Sequence, residues 1–366
     1  MGGGGAERQL GYLCKGLVER GWTVHVALLT GGPNLKRLSE GGATIHILPS
    51  RGNYDPRTAL RLAALMRRID PDLVQTWNPM MDILGGSCAS IMRIPWILSE
   101  NNSALSYPSS IKNYVRRVVG PHCAAIASVS KIGLEYWRPF VRRATGMYVT
   151  PIVPNSEEIE MTSPACAPVK HAKERKIVLF AGRFVPEKNV ERLVGALARV
   201  AVQYPVIAYM CGDGPLRLRM QEVVAERGLQ ELIQFPGYVE NLPAWMKAAH
   251  LFVTISTFEG RPNTILEAMA CKCPIVLSDI PPHREILDED SGFFCDPCDE
   301  SSVAEALGRA LVDSSEADRK VARAYSIISK HSMRDFLDQY EEIYSRCISS
   351  KEMLGTTVSN RARLSS

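Results

Sequence analysis

Short apolar runs alternate with amphipathic stretches along nearly the whole chain. In the first half the apolar runs are Thr23–Leu29, Ala43–Leu48, Leu73–Trp77, Trp96–Leu98, Ala124–Val129 and Tyr148–Val153. In the second they are Ile177–Phe180, Val206–Cys211, Leu232–Phe235, Leu251–Ile255, Ile275–Leu277 and Gly292–Cys295. Each is short and mostly apolar, as the strands of a sheet covered by helices are. Between them, a 3.6-residue period predicts helices over Arg57–Arg68 and Ile132–Arg143. Further helices are predicted near Val190–Val202, Leu216–Glu226, Asn263–Ala270, Ser301–Val312 and Met333–Cys347. Alternation of this kind predicts an α/β protein with parallel sheets covered by helices on both faces. Two such series in 366 residues predict two Rossmann-like, doubly wound domains. Ligands of such sheets bind beyond the carboxyl ends of the strands.

The predicted domains are residues 1–156 and 176–332, joined by a linker at 157–175. The linker holds Pro164, Pro168 and the acidic Glu157, Glu158 and Glu160 without a clear period. Residues 349–366 are polar and are expected to form a disordered tail. A Rossmann-type domain ordinarily begins with an apolar strand that feeds a glycine loop. Here Met1 directly precedes Gly2, so that strand is expected to be missing, through an upstream start or a truncation. Its loss would leave ladder groups unpaired.

Composition is that of an ordinary globular protein, with 46% hydrophobic and 22% charged residues. No run reaches the roughly 18 apolar residues that a bilayer span needs, and no signal peptide is visible. A cytoplasmic protein is expected. The ten scattered cysteines fit reduced, buried thiols. Cys295-x-x-Cys298 has half the spacing of a zinc site, but only Cys271 and Cys273 lie near to join it, and no metal is expected.

Charge changes the picture more. Residues 1–156 hold 18 Lys+Arg against 9 Asp+Glu, which leaves 25 basic and 30 acidic residues for the remainder. Basic clusters stand at Arg67-Arg68, Arg116-Arg117, and Arg138 with Arg142-Arg143. A basic first half suits an anionic membrane surface or a pyrophosphate-linked lipid; the alternative is a solvated surface. No recognition motif for nucleic acid accompanies it, and nucleic acid is not an expected partner.

Chemistry concentrates in the second half. Glu259 and Glu267 are separated by seven residues, in Glu259-Gly260-Arg261-Pro262-Asn263-Thr264-Ile265-Leu266-Glu267. Pro262 suits the first turn of a helix. A helix N-terminus offers unpaired N–H groups and partial positive charge to a diphosphate, and flanking carboxylates suit hydroxyls. Earlier, Gly182-Arg183-Phe184-Val185-Pro186-Glu187-Lys188 follows a predicted strand. Its glycine allows a tight turn, and its two cations suit a pyrophosphate. Each stretch taken alone also fits a strand, a turn and solvated charges.

Taken in order, five stretches resemble the retaining family 4 glycosyltransferases of the GT-B fold. They are Gly2-Gly3-Gly4-Gly5-Ala6-Glu7-Arg8, Ala181-Gly182-Arg183 with Lys188, Tyr209-Met210-Cys211-Gly212-Asp213-Gly214-Pro215-Leu216, Phe235-Pro236-Gly237-Tyr238-Val239, and the paired glutamates, with Val153-Pro154-Asn155 resembling the family's boundary between domains. The resemblance spans Gly2 to about Tyr344. It implies two Rossmann-like domains facing a cleft, with a last helix, 333–348, returning to the first domain. It also implies transfer of a hexose or N-acetylhexosamine from a nucleotide sugar, UDP sooner than GDP, with retention and without a required metal or other cofactor. The implied acceptor is a glycan, expected on a lipid carrier in surface polysaccharide synthesis.

By the same resemblance, Arg183 and Lys188 would stabilise the leaving diphosphate and Glu259 would sit at the donor sugar. Glu267 would bind ribose, and Gly260, Arg261, Pro262, Asn263 and Thr264 would line sugar and phosphate. Gly182 would allow close approach to the phosphates. Tyr238 and Val239 would flank the base, and Gly3, Gly4 and Gly5 would let the first domain approach the diphosphate. Where many members carry a histidine near the sugar, this chain has Ser99-Glu100-Asn101-Asn102. Glu100 or Asn101 is placed to meet a sugar hydroxyl; a plain strand-end turn fits equally. The competing functions are a sugar-nucleotide epimerase of the same fold and a truncated, non-catalytic nucleotide-sugar binder.

Overall fold

The computed structural model describes residues 5–32, 34–50, 55–101, 107, 109–150, 152–165, 175–260 and 262–363, with side chains as far as 349. The chain divides into two compact units. The first is Met1–Ile152 together with Met333–Ser366, and the second is Val153–Ser332.

The strands of the first unit are β1 (His25–Leu28), β2 (Thr44–Ile47), β3 (Val74–Thr76), β4 (Trp96–Glu100), β5 (Ala125–Ser128) and β6 (Gly146–Val149). β1 and β2 pair in parallel as one sheet, and β3-β4-β5-β6 form a second parallel sheet in that order. Every residue of β4 and β5 is buried, which explains the apolar runs Trp96–Leu98 and Ala125–Ala127 that precede their polar ends at Ser99, Glu100 and Ser128. The core gathers Leu62, Met66, Trp96, Leu98, Ile126 and Trp137. The helix Pro79–Ile91 has no clear apolar period in the sequence because it approaches the sheet through glycine. A methyl at Gly86 would lie 2.6 Å from the Trp96 ring. Its start is secured by the Asn78 side chain, which accepts from the N–H groups of Met80 and Met81.

The closing helix runs Met333–Arg363 and belongs to the first unit. It continues past Cys347, where the expected helix stopped, with no proline in the sequence to interrupt it. Its first turns are tied to the first unit on three sides. Arg20 pairs with Asp338 and Glu341, the Trp22 indole donates to Glu341 at 2.7 Å, and Gln339 donates to the Val149 carbonyl at 2.9 Å.

The strands of the second unit are β7 (Lys176–Ala181), β8 (Val206–Cys211), β9 (Ile233–Gly237), β10 (Leu251–Thr254), β11 (Ile275–Ser278) and β12 (Phe293–Cys295). They form one parallel sheet ordered β12-β11-β10-β7-β8-β9. The chain builds outward from β7 in one direction, then returns to β7's other side with β10 and builds the opposite way. Strand order therefore reverses between β7 and β10. The core runs through Phe180, Leu193, Leu197, Val206, Met210, Val253, Val276, Phe293 and Leu307. Residues 157–161 of the expected linker lie in the helix Ser156–Met161, within the second unit. Cys295 is buried in β12 and Cys298 is exposed.

Candidate active site

Where strand order reverses, the two adjacent loops diverge and leave a crevice beyond the carboxyl ends. The loops after β7 and β10 bring Lys188 and Glu259 together there. The Lys188 ammonium pairs with Glu259 Oε1, and the two side chains are only 18% and 13% exposed. The Ser256 hydroxyl donates to the same oxygen at 2.7 Å. Burial works to raise the Glu259 carboxyl, but Lys188 and Ser256 outweigh it and hold the group below the usual carboxylate range. The loops are also joined by backbone, since Thr257 N–H donates to the Glu187 carbonyl at 2.9 Å.

Beneath the pair lies a residue that sequence reasoning missed. His283, in the short helix Pro281–Arg284 after β11, is fully buried. Its Nδ1 stands 2.9 Å from the Ser278 carbonyl. A carbonyl can only accept, so Nδ1 carries the proton and Nε2 is the bare acceptor. Nε2 finds no partner among the described residues. Burial pushes the imidazole down to about 4, with the nearby Glu259 pulling the other way, so it is neutral at pH 7. Ser278 in turn donates its hydroxyl to the Ser256 carbonyl at 2.6 Å, which connects His283 to the residue that bonds Glu259. The only sequence signal was a histidine just past a predicted strand end.

Beside this cluster begins the helix Asn263–Ala270, which no side chain caps. The helix Arg217–Glu226, after β8, also starts without a side-chain cap. By contrast, the helices after β9 and β12 are capped by Asn241 and Asp299. Uncapped N–H groups thus flank the reversal point, where an anion would satisfy them. Pro262 occupies the cap position itself, one residue before its expected place in the first turn. Glu267 is buried one turn into the helix, Gly260 is buried, and Asn263 and Thr264 are half-buried.

The adjoining loops pack backbone on backbone. Gly182 N–H donates to the Cys211 carbonyl, and Gly212 N–H to the Gly237 carbonyl at 2.7 Å. At Gly212, with φ +128°, a Cβ would stand 1.9 Å from the Gly182 carbonyl oxygen, so only glycine fits. Arg183 projects outward, 72% exposed, 3.5 Å from Glu187. Tyr238 is 48% exposed and Val239 half-buried, on the turn after β9.

The first unit requires a correction. Glu100 ends β4 fully buried, and both its oxygens are engaged. Oε2 accepts from Arg116 Nη2 at 2.8 Å and Trp137 Nε1 at 2.9 Å, and Oε1 accepts from the Tyr107 hydroxyl. Arg116 Nε bonds Asp82 at 2.7 Å, so one interior guanidinium serves two carboxylates. Burial pushes Asp82 up to about 6 despite Arg116 and Thr76. A carboxylate spent in this way is not free for a sugar. Asn101 is half-buried, with its amide 3.4 Å from the Trp77 carbonyl. Gly5 opens the helix Gly5–Glu19, while Gly3, Gly4 and Arg261 lie outside the described residues.

Sequence comparison decides the family. Residues 3–149 match the family described as Glycosyltransferase Family 4, and residues 167–326 match Glycosyl transferases group 1. The chain belongs to the family 4 glycosyltransferases. This glycosyltransferase is 26% identical over 344 residues to the lipopolysaccharide core biosynthesis glycosyltransferase LpsE of Rhizobium meliloti, covering 93% of the chain and 95% of the relative. It is 28% identical over 167 residues, 45% of the chain and 44% of the relative, to a Campylobacter jejuni enzyme. That enzyme is named as an N-acetylgalactosaminyltransferase acting on a diphospho-undecaprenol-linked glycan. Its GT-B fold matches the crystal structure of Anabaena HepE in complex with UDP and glucose. The TM-score is 0.81 at 19% identity, over 94% of this chain and 96% of that one.

Proposed function

We propose that this glycosyltransferase moves a hexose or N-acetylhexosamine from a nucleoside diphosphate sugar, UDP sooner than GDP, to a lipid-linked glycan in surface polysaccharide synthesis. Transfer proceeds with retention at the anomeric carbon, in the cytoplasm against the inner face of the membrane. The observation that carries this reading is the Lys188–Glu259 pair at the reversal point, beside an uncapped helix start. A lysine ammonium has three donors, so Lys188 can hold Glu259 and still meet a phosphate oxygen. As the diphosphate leaves, Lys188, the outward Arg183 and the N–H groups of Asn263 and Thr264 would stabilise its growing charge. Glu259, kept ionised, would hold sugar hydroxyls and offset positive charge at the anomeric carbon. Glu267 would take the ribose, and Tyr238 and Val239 would border the base. The relatives named for lipopolysaccharide core and for undecaprenol-linked glycans support the acceptor class.

The test is transfer to a lipid-linked glycan, with the product's anomeric configuration read by NMR. An α-linked product from an α-linked donor, formed equally with and without EDTA, is expected. Inversion would overturn the retaining assignment, and activity lost in EDTA and restored by magnesium would overturn metal independence. Conversion of the donor sugar without any acceptor would favour an epimerase.

A further inference from the structure

The first unit carries a helix that is amphipathic inside out. Ile111–Val119 buries Asn113 and Arg116, yet leaves Ile111 84%, Tyr114 65% and Val118 52% exposed. These three stand at i, i+3 and i+7, one stripe of the surface. Arg116 can lie inside only because Asp82 and Glu100 pair with it, and that pairing turns the apolar face outward. The stripe continues onto a neighbouring segment: Phe140 is exposed just past the helix Lys131–Trp137, and the Arg117 guanidinium sits 5.5 Å over its ring. Elsewhere among the described residues, exposed large apolar side chains occur singly along the chain.

Charge along this stretch of chain is almost entirely of one sign. Lys112, Arg138, Arg142 and Arg143 are exposed, and residues 109–143 hold seven Lys+Arg against a single acid, Glu135. Aliphatic tips, a tyrosine and a phenylalanine set among basic side chains match the boundary between acyl chains and anionic headgroups. There the rings and methyls enter the interface while the cations reach phosphate. Nucleic acid would use the cations and leave the aliphatic tips in water.

We propose that Ile111, Tyr114, Val118 and Phe140, with Lys112, Arg117, Arg138, Arg142 and Arg143, form a docking face for an anionic phospholipid bilayer. This specifies the membrane placement proposed above, and its test reads lipid binding rather than transfer, so either can fail alone. The full chain is sedimented with vesicles of phosphatidylcholine, alone or with about a third phosphatidylglycerol. Binding only to the anionic vesicles, weakened by high salt, is expected. Arg138→Glu with Arg142→Glu should weaken it by about tenfold or more. Ile111→Ser with Val118→Ser should weaken it comparably without altering charge. Arg67→Glu with Arg68→Glu, a basic pair elsewhere in the first unit, should leave it nearly unchanged.

Tyr114→Trp, a change on an exposed ring, gives a second reading that needs no disruptive variant. Its fluorescence should shift to the blue with anionic vesicles only. Equal binding to neutral vesicles, equal loss in the Arg67/Arg68 variant, an unshifted Tyr114→Trp signal, or a stable dimer closed through this stripe would each overturn the proposal.

Discussion

Lys188 and Glu259 are 71 positions apart in the chain and meet only because β7 and β10 are neighbours in the sheet. The residue types were legible from the motifs, but their contact was not, since it depends on strand order. Lys188→Ala is expected to lower turnover by about a hundredfold or more, as loss of one charge-stabilising donor does. Wild-type turnover in the purified variant would remove Lys188 from the chemistry.

His283 makes a different prediction. An unfolded-chain histidine takes up a proton below about 6.5, whereas buried His283 resists it until about 4. Stability therefore falls as pH drops from about 6.5 towards 4, by at most about 3 kcal/mol. Urea unfolding across that window should show a shallower decline in His283→Gln than in the wild type; parallel curves would mean that His283 does not titrate in this way. At Glu100 the sequence misled, because nothing in Ser99-Glu100-Asn101-Asn102 reveals that Arg116, sixteen residues on, is interior. Arg116→Met should cost about 3–5 kcal/mol, since it strands two buried carboxylates. A loss under about 1 kcal/mol in urea would contradict the buried pairing.

At the scale of elements, each of the twelve apolar runs overlaps a strand, most closely where the strand is buried on both faces, as in β8, β10 and β11. The run Tyr148–Val153 shares only Tyr148 and Val149 with β6, which begins at Gly146. Two of the helices that escaped notice did so for physical reasons. Pro79–Ile91 substitutes glycine for apolar side chains against Trp96, and Ile111–Val119 turns its apolar face outward. The loop glycines were legible as turns, but the backbone they pack against was not. Gly212→Ala drives a Cβ into the Gly182 carbonyl and should cost more than about 3 kcal/mol, with nucleotide binding lost. Gly228→Ala, also at positive φ but with nothing within 4 Å, should cost only about 1–2 kcal/mol. Equal melting temperatures for the two variants would contradict the tight backbone approach.

On the scale of the whole molecule, two series of alternating elements in one chain already implied two parallel-sheet units, and the motifs at strand ends implied where a ligand binds. The sugar and the acceptor were not legible, because both depend on shape around the site rather than on a spacing of residue types. The uneven charge marked the basic half, but the exposed stripe within it emerged only once Arg116 was seen to face inward.

The most direct test is the melting temperature of the full chain against UDP, GDP, ADP and their sugars, for wild type and Lys188→Ala. Ligand at a hundredfold excess over its dissociation constant stabilises by about 2.7 kcal/mol. A clear rise with one nucleoside diphosphate series, abolished or sharply reduced in Lys188→Ala, is expected. No rise with any of them, or the same rise in both proteins, would contradict a nucleotide-sugar site at the reversal point of the second sheet.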